Sequence, residues 1–268
     1  MTMHEELKLI IQKCLNTGID HHTTVPTQRP AKEVRTACVA VIIRWKTAHA
    51  RNDTQPRHQQ NKSHDFQLDE FFDLPWIKQG QGQAEMLFIQ RASQSGDLWS
   101  GHIAFPGGKN EPTDRTVLDT IVRETREEIG VDLSSTNDFA FVGTLPAKKI
   151  KYNTIQKKLD MTLIPFVFLQ LTPVTPKLML QKTEVANTYW VPITYLSSNP
   201  LVPYNPITNT SAKNQDNLDA ISLLNNNDSP YLWGMTLRIV QEVLGLPISP
   251  PPVFTAERIE TYRVASKI

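Results

Sequence analysis

Apolar residues follow helical or strand spacing in several stretches of the chain, separated by polar segments. Over residues 114–129 they recur mostly three or four positions apart, which is the period of a half-buried helix. Thr113 or Asp114 is suited to cap the start of this helix, and Gly130 stands where a helix commonly ends. The apolar positions are Val117, Leu118, Ile121, Val122 and Ile129.

Shorter patterns predict the other elements. Residues 7–15 carry one apolar stripe and predict a short amphipathic helix, and residues 231–246 return to helical spacing. Runs rich in β-branched and aromatic residues predict strands, and Pro165 within one of them indicates an edge strand or a bulge. The predicted strands are 34–45, 84–90, 140–145, 161–171 and 188–191.

Two polar stretches interrupt these elements. Residues 47–64 and 205–229 contain too few apolar side chains to fold alone. We expect the first to be a flexible insertion between two strands, and the second a surface loop or a disordered insertion. The chain then divides into an N-terminal helical extension, one domain and a C-terminal tail. Their predicted limits are 1–33, 34–250 and 251–268.

Composition narrows the function only slightly. The 268 residues are 40% hydrophobic, which is enough to build a core, and a net charge of +1 provides no global field to attract nucleic acid or an anionic membrane. Cys14 and Cys38 are too few for a disulfide framework or a zinc site. No apolar run approaches the roughly 18 residues of a membrane span, and the first residues do not read as a secretory signal. We expect a soluble enzyme with a small-molecule substrate.

Three acidic side chains share one arc of the helix predicted at 114–129. Glu124, Glu127 and Glu128 are three and four residues apart and occupy roughly 100° of its circumference. Like charges at this spacing repel each other, and Arg123 is placed to pair with Glu127 only. A divalent cation would relieve the repulsion, because Mg²⁺ takes carboxylate, water and phosphate oxygens as ligands. The alternative is a solvated acidic helix face, but the Gly-Gly turn and the helix stop coincide with the acids and favour a site.

Residues 108–131 resemble the signature of the Nudix hydrolases, in which a glycine and an acidic residue precede Arg-Glu, Glu-Glu and a final glycine. Two features depart from it: an aspartate replaces the usual first glutamate, and eight residues rather than seven separate it from the arginine. Both departures, and the preceding Phe-Pro-Gly-Gly, are similar to the coenzyme A diphosphatase branch. The matching positions are Gly108, Asp114, Arg123, Glu124, Glu127, Glu128, Gly130 and Val131.

The resemblance to this branch covers residues 84–196 and 231–245. Residues 87–91 and 101–105 look like the two halves of a coenzyme A motif. That motif normally has an arginine four residues before its glycine, where this chain has Asp97, so a cation is missing beside a polyanionic substrate. Either the substrate specificity differs, or Arg91 or Lys109 compensates.

The resemblance implies an α/β fold, specifically an α/β/α sandwich with a mixed β-sheet, and a diphosphatase that cleaves a nucleoside diphosphate linked to another moiety. Coenzyme A or acyl-coenzyme A, cut to phosphopantetheine and 3′,5′-ADP, is the first expectation. ADP-ribose, nucleotide sugars and dinucleotides remain open. A non-catalytic nucleotide sensor is the alternative from another class, although such modules generally lose box glutamates and this chain keeps all three.

The resemblance also implies a cofactor, Mg²⁺ or Mn²⁺. Glu124 and Glu128 are the expected ligands, with Glu127 sharing a second metal or ordering its waters. The backbone carbonyl of Gly107 or Gly108 is expected to complete the coordination shell.

Catalytic and substrate-binding roles follow from the same resemblance. Arg123 is expected to orient carboxylates, and the general base is left open between Glu124, Glu127 and Glu184. The expected substrate-binding residues are Arg91, Phe105, Gly107 and Lys109.

The last three residues, Ser266, Lys267 and Ile268, resemble the Ser-Lys-Leu peroxisomal address. An ordinary chain terminus is the alternative interpretation. The expected location is therefore the cytoplasm or the peroxisome, and no pattern in the sequence predicts the oligomeric state.

Overall fold

The computed structural model describes residues 2–16, 35–47, 68–78, 81–94, 99–153, 158–206, 218–224 and 229–251. An eight-stranded mixed sheet lies between helices, and a three-stranded sheet flanks it, which confirms the expected α/β/α sandwich. The helices are α1 Met3–Asn16, α2 Leu68–Asp73, α3 Pro75–Lys78, α4 Val117–Ile129, α5 Ile193–Ser198 and α6 Gly234–Leu244. Within the described residues, no helix combines the length and apolarity that a membrane crossing needs.

The strands were only partly predicted from the sequence. Five predicted strands are confirmed, with shifted ends, and the short strands and short helices were missed. The strands are β1 Arg35–Thr47, β2 Gly82–Arg91, β3 Ile103–Ala104, β4 Gly107–Lys109, β5 Phe139–Thr144, β6 Lys148–Asn153, β7 Lys158–Gln170, β8 Val185–Pro192, β9 Val202–Tyr204, β10 Leu218–Ser222 and β11 Tyr231–Trp233.

Strand β1 lies at the centre of the large sheet. It pairs in parallel with β7 and antiparallel with β2 and β4, and the main path of the sheet is β3-β2-β1-β7-β5. β8 pairs with β2, and β6 pairs with β7. The small sheet has the order β11-β10-β9.

Pro165 does not lie in an edge strand, so that alternative was wrong. A register irregularity, the other alternative, does occur close by, between Phe141 and Gly143 of the paired strand β5. Pro165 lies opposite Val39 in the central pairing of β7 with β1. On the other side of β7 the partner changes, from β6 opposite Leu163 to β5 opposite Phe166. The N–H that proline lacks therefore falls in the gap between two ladders, where its absence costs little.

Each face of the large sheet buries a separate apolar cluster. Helix α4 packs on one face against alternating residues of the central strands, as the period of two in a strand requires. Helices α1 and α6 cover the opposite face. The α4 side includes Cys38, Ala40, Ile42, Leu87, Ile89, Val117, Ile121, Ile129, Phe166 and Phe168. The other side includes Leu7, Ile11, Val41, Ile43, Met86, Phe88, Val167, Leu237 and Val240.

Helix α4 begins later than predicted. Its N-cap is Thr116, whose side-chain oxygen accepts the N–H of Asp119 at 3.0 Å, and not Thr113 or Asp114. The carboxylate of Asp114 instead accepts hydrogen bonds from Arg123, as described below. The predicted end is confirmed, since Gly130 has φ 72° and its N–H donates to the carbonyl of Arg126.

Two predictions in the C-terminal third were wrong. Residues 231–233 form strand β11 rather than the start of a helix, because they pair with β10. β10 itself lies within 205–229, where we expected only loop. Most other residues of the predicted insertions, together with Asp97 and the C-terminal tripeptide, lie outside the described residues. The predicted domain limits stay a prediction.

Candidate functional site

A pair of glycines brings strand β4 against helix α4. Gly107 and Gly108 pair with Val39 and Cys38 of the central strand. An added Cβ at Gly107 would lie only 2.1 Å from the carbonyl oxygen of Cys38, and one at Gly108 only 2.4 Å from Oε1 of Glu124. A side chain at Gly107 would collide with the backbone of the central strand, whereas one at Gly108 would push against the carboxylate of Glu124.

Glu128 lies deepest among the glutamates of α4. Its side chain is buried, and its Oε2 accepts the N–H of Gly107 at 2.8 Å. Burial raises the pKa of Glu128 to about 8, and the nearby charge of Glu124 adds to the increase. Burial also raises the pKa of Glu124. Two neighbouring carboxylates thus share a poorly solvated space beside the glycine backbone.

Glu127 does not join this pair. Its side chain is 57% exposed, and its Oε2 is held 2.9 Å from Nη1 of Arg123. Among the described residues, no three His, Cys, Asp or Glu side chains are grouped as a set of metal ligands would be. The carboxylates that the structure brings together are therefore those of Glu124 and Glu128, because Glu127 lies at the end of the 100° arc that faces solvent.

Arg123 connects the groups around the pair. Its Nε and Nη2 donate to the two oxygens of Asp114, both at 3.0 Å. Nη2 also lies 3.2 Å from Oε1 of Glu124 and donates to the backbone carbonyl of Lys109 at 3.0 Å. With the contact to Glu127, this geometry fits the predicted orienting role of Arg123.

Asp114 is held as a charged group inside the protein. Burial alone would raise its pKa, but hydrogen bonds from Arg123, from the N–H of Glu111 and from Oγ1 of Thr120 outweigh burial and keep the pKa below its usual value. Thr120 is fully buried, and sequence reasoning missed it. The available signal was its position three residues before Arg123, on the same helix face.

We expect Asp114→Asn to lower the free energy of unfolding by about 2 kcal/mol at pH 7, since it removes a charged acceptor from Arg123. The pKa of Asp114 is lower in the folded protein than in the unfolded chain, so its charge stabilises the fold at any pH above the unfolded pKa. This stabilisation is lost as the pH falls through the folded pKa. The difference from wild type should therefore hold from pH 7 to about pH 4 and shrink below that. Urea unfolding at each pH measures it, and a difference that already disappears at pH 5.5 would contradict this assignment.

Arg91 and Glu184 lie at the other side of the carboxylate pair. The positive charge of Arg91 lowers the pKa of Glu128, whereas the charge of Glu184 raises the pKa of both Glu124 and Glu128. The backbone carbonyl of Glu184 accepts the N–H of Ala92 at 2.8 Å, which fixes this loop beside the end of β2. The fold therefore brings Glu184, an exposed residue distant in sequence, close to the α4 carboxylates.

Phe105 and Gly107, two of the expected substrate-binding residues, make contacts within the protein instead. Phe105 is buried and stacks on Phe88 with ring centroids 5.0 Å apart, so its ring belongs to the core and does not face a substrate. The N–H of Gly107 is already donated to Glu128. The side chain of Lys109 is exposed at the rim.

The comparison with protein families assigns the chain. A model described as the NUDIX domain matches residues 72–207, just over half of the chain. This protein belongs to the NUDIX domain family, in agreement with the Nudix hydrolase class inferred from its sequence.

Relatives of known sequence include an uncharacterized protein of Schizosaccharomyces pombe, C14C4.10c, which is 34% identical over 168 residues, or 63% of this chain and 44% of that protein. The human mitochondrial coenzyme A diphosphatase NUDT8 is 42% identical over 50 residues, or 19% of this chain and 21% of that protein. The chain thus spans less than half the length of either relative.

Similar solved structures include a Caenorhabditis elegans Ap4A hydrolase in a binary complex, 17% identical with a TM-score of 0.35, which covers 60% of this chain and 81% of that one. The NUDIX domain of Shewanella oneidensis NrtR complexed with ADP ribose is 14% identical with a TM-score of 0.37, covering 65% and 83%.

Proposed function

We propose that this protein is a metal-dependent diphosphatase that cleaves a nucleoside diphosphate linked to another moiety. The observation that carries the proposal is the buried Glu128 and the half-buried Glu124 beside it, both against the backbone of Gly107 and Gly108. Arg123 is fixed beside the pair by four further oxygen acceptors. A purely structural helix has little reason to bury one carboxylate beside a second one, because buried charge is costly.

The residues present fit a divalent cation. Burial and mutual repulsion raise the pKa of both Glu124 and Glu128, and a dication between them would remove that conflict. Two carboxylates with a backbone carbonyl of Gly107 or Gly108 leave positions for water and phosphate oxygens, as Mg²⁺ prefers. Glu127 remains available from the solvent side. Bound Mg²⁺ or Mn²⁺ would supply positive charge to the diphosphate and activate the attacking water.

The chain's own residues supply the proton acceptor and the positioning. Glu184 is our first candidate for the general base, because its charge acts on both carboxylates from outside α4 and its side chain is exposed to solvent. Glu124 and Glu127 are the alternatives on α4. Arg123 acts through the carboxylates that it contacts. Arg91, whose charge acts on Glu128, and Lys109, which is exposed, are our candidates to contact substrate phosphates.

Coenzyme A or acyl-coenzyme A is the proposed substrate. It is supported by the Phe-Pro-Gly-Gly motif and by the short similarity to a coenzyme A diphosphatase. Asp97 in the coenzyme A motif keeps ADP-ribose, nucleotide sugars and dinucleotides as alternatives. A non-catalytic nucleotide sensor is the alternative outside enzymes.

A substrate screen tests the proposal. The full chain is incubated with coenzyme A, acetyl-coenzyme A, ADP-ribose or NADH, each with Mg²⁺ and with Mn²⁺, and the products are identified by mass spectrometry. We expect phosphopantetheine and 3′,5′-ADP from coenzyme A, and no product when EDTA is present. Cleavage of ADP-ribose but not of coenzyme A would refute coenzyme A as the substrate. Tight binding of one compound without any turnover would refute the proposal that the protein is an enzyme.

A further inference from the structure

Five aromatic rings meet at the edge of the large sheet, next to β3. Tyr204 and Trp233 are buried, and Tyr204 stacks on Tyr231 with ring centroids 4.5 Å apart. His102 packs edge-on against Trp233 at 5.0 Å, and Trp99 lies tilted against Trp233 at 6.2 Å. These five residues are called the ring cluster. Its two buried members serve as the core of the small sheet, whereas Trp99, His102 and Tyr231 are partly exposed.

The ring cluster joins two distant segments of the chain. Trp99 and His102 belong to the turn just before Phe-Pro-Gly-Gly, and the other three rings come from β9 and β11. β10 and β11 lie beyond residues 72–207, which the NUDIX model matches. Strand β11, from the C-terminal third of the chain, thus brings aromatic side chains to a turn that borders the candidate site.

Backbone hydrogen bonds connect this turn directly to the site. The N–H of Arg91 donates to the carbonyl of His102 at 3.0 Å, and the N–H of Gly101 donates to the carbonyl of Arg91 at 3.1 Å. The charge of Arg91 acts on Glu128. Between Trp99 and His102, a Cβ added to Gly101 would meet no atom of the described residues within 4 Å.

We propose that the ring cluster stacks the nucleobase of the substrate, with Trp99 as the main contact, while the diphosphate lies at Glu124 and Glu128. This inference rests on the proposed function and specifies which end of the substrate binds where. Flat aromatic faces suit a planar base, and base–aromatic stacking contributes strongly to binding. The flexible pantetheine arm has no planar ring, so contact with aromatic faces contributes less to its binding. The base is common to coenzyme A, ADP-ribose and NADH, so the inference holds for any of them.

The test measures binding rather than turnover. Equilibrium affinities of 3′,5′-ADP and, separately, of phosphopantetheine are measured for the wild-type chain, Trp99→Leu and Trp99→Phe. Trp76→Leu is the matched control, because Trp76 is also partly exposed but packs on Phe71, outside the ring cluster. We expect Trp99→Leu to weaken 3′,5′-ADP binding about tenfold. Trp99→Phe and Trp76→Leu should stay close to wild type, and phosphopantetheine binding should not change.

Wild-type affinity for 3′,5′-ADP in a folded Trp99→Leu variant would overturn the inference, as would a selective loss of phosphopantetheine binding. If Trp99→Leu does not fold, tryptophan fluorescence decides. Quenching by 3′,5′-ADP should be marked in wild type and weak in Trp99→Phe, and equal quenching in both would overturn the inference. Because no turnover is needed, an inactive protein that binds 3′,5′-ADP through Trp99 would reject the proposed function and leave this inference standing.

Discussion

The Glu128→Gln variant is expected to lose more than about a hundredfold in turnover with Mg²⁺, since even residues that only orient a metal ligand contribute about 10- to 100-fold. Glutamine keeps the shape of the side chain and still offers an oxygen to the N–H of Gly107, 2.8 Å away in the wild type. It removes the negative charge that would hold a cation beside Glu124. The comparison of kcat for the two proteins on coenzyme A measures the effect.

Glu70→Gln provides the matched control. Glu70 is an exposed acid in α2, so its loss should leave kcat within about twofold of wild type, as for most surface substitutions. Thermal unfolding of both variants shows whether the fold is kept. Turnover by a folded Glu128→Gln variant at the wild-type rate would refute the role of Glu128 as a metal ligand.

Gly107→Ala is expected to destabilise the protein by about 3 kcal/mol or more, through backbone strain and overpacking together. Gly107 has φ +141°, and its added Cβ would lie 2.1 Å from the carbonyl oxygen of Cys38. That oxygen belongs to the central strand and has no room to move. The loss should appear as a lower midpoint of urea unfolding.

Gly101→Ala separates the two causes. Gly101 also has positive φ, at +73°, but its added Cβ would meet no atom within 4 Å in the part of the chain that the structure describes. Only the left-handed conformation is penalised there, at about 1 kcal/mol. If both variants lost the same free energy of unfolding, the contact between β4 and β1 would not be as tight as described.

The sequence predicted best what depends on local spacing. The helix α4, its stop at Gly130 and the central strands follow from apolar period and glycine position, which neighbouring residues determine. The start of α4 was wrong because Asp114 is a good cap by residue type, yet Arg123, nine positions away, takes it as an ion-pair partner. Competition between a local and a tertiary partner is not visible in spacing.

Burial within the candidate site was also beyond the sequence. Helical spacing predicted that Glu124, Glu127 and Glu128 lie on the same side of α4. It did not predict which of them would face β4. Contact with strand β4 buries Glu128 and half-buries Glu124, whereas Glu127 pairs with Arg123 and is exposed to solvent. The proximity of Glu184 depends on the return of β8 beside β2, which local periodicity does not encode.

The ring cluster illustrates the same limit. Residues 231–233 fit the helical spacing that continues through α6, so the sequence favoured a helix from residue 231. Pairing with β10, within a segment that looked too polar to fold, makes them a strand instead. Long-range strand pairing thus outweighed local periodicity and created the aromatic surface beside the turn that contains Gly101.

A manganese anomalous difference map from crystals of the full chain grown with Mn²⁺ and 3′,5′-ADP tests the central claim most directly. We predict a peak between the carboxylates of Glu124 and Glu128, beside the backbone of Gly107 and Gly108, that is absent from Glu128→Gln crystals. Carboxylates that point apart with no manganese between them, in crystals of protein that is active in solution, would contradict the account.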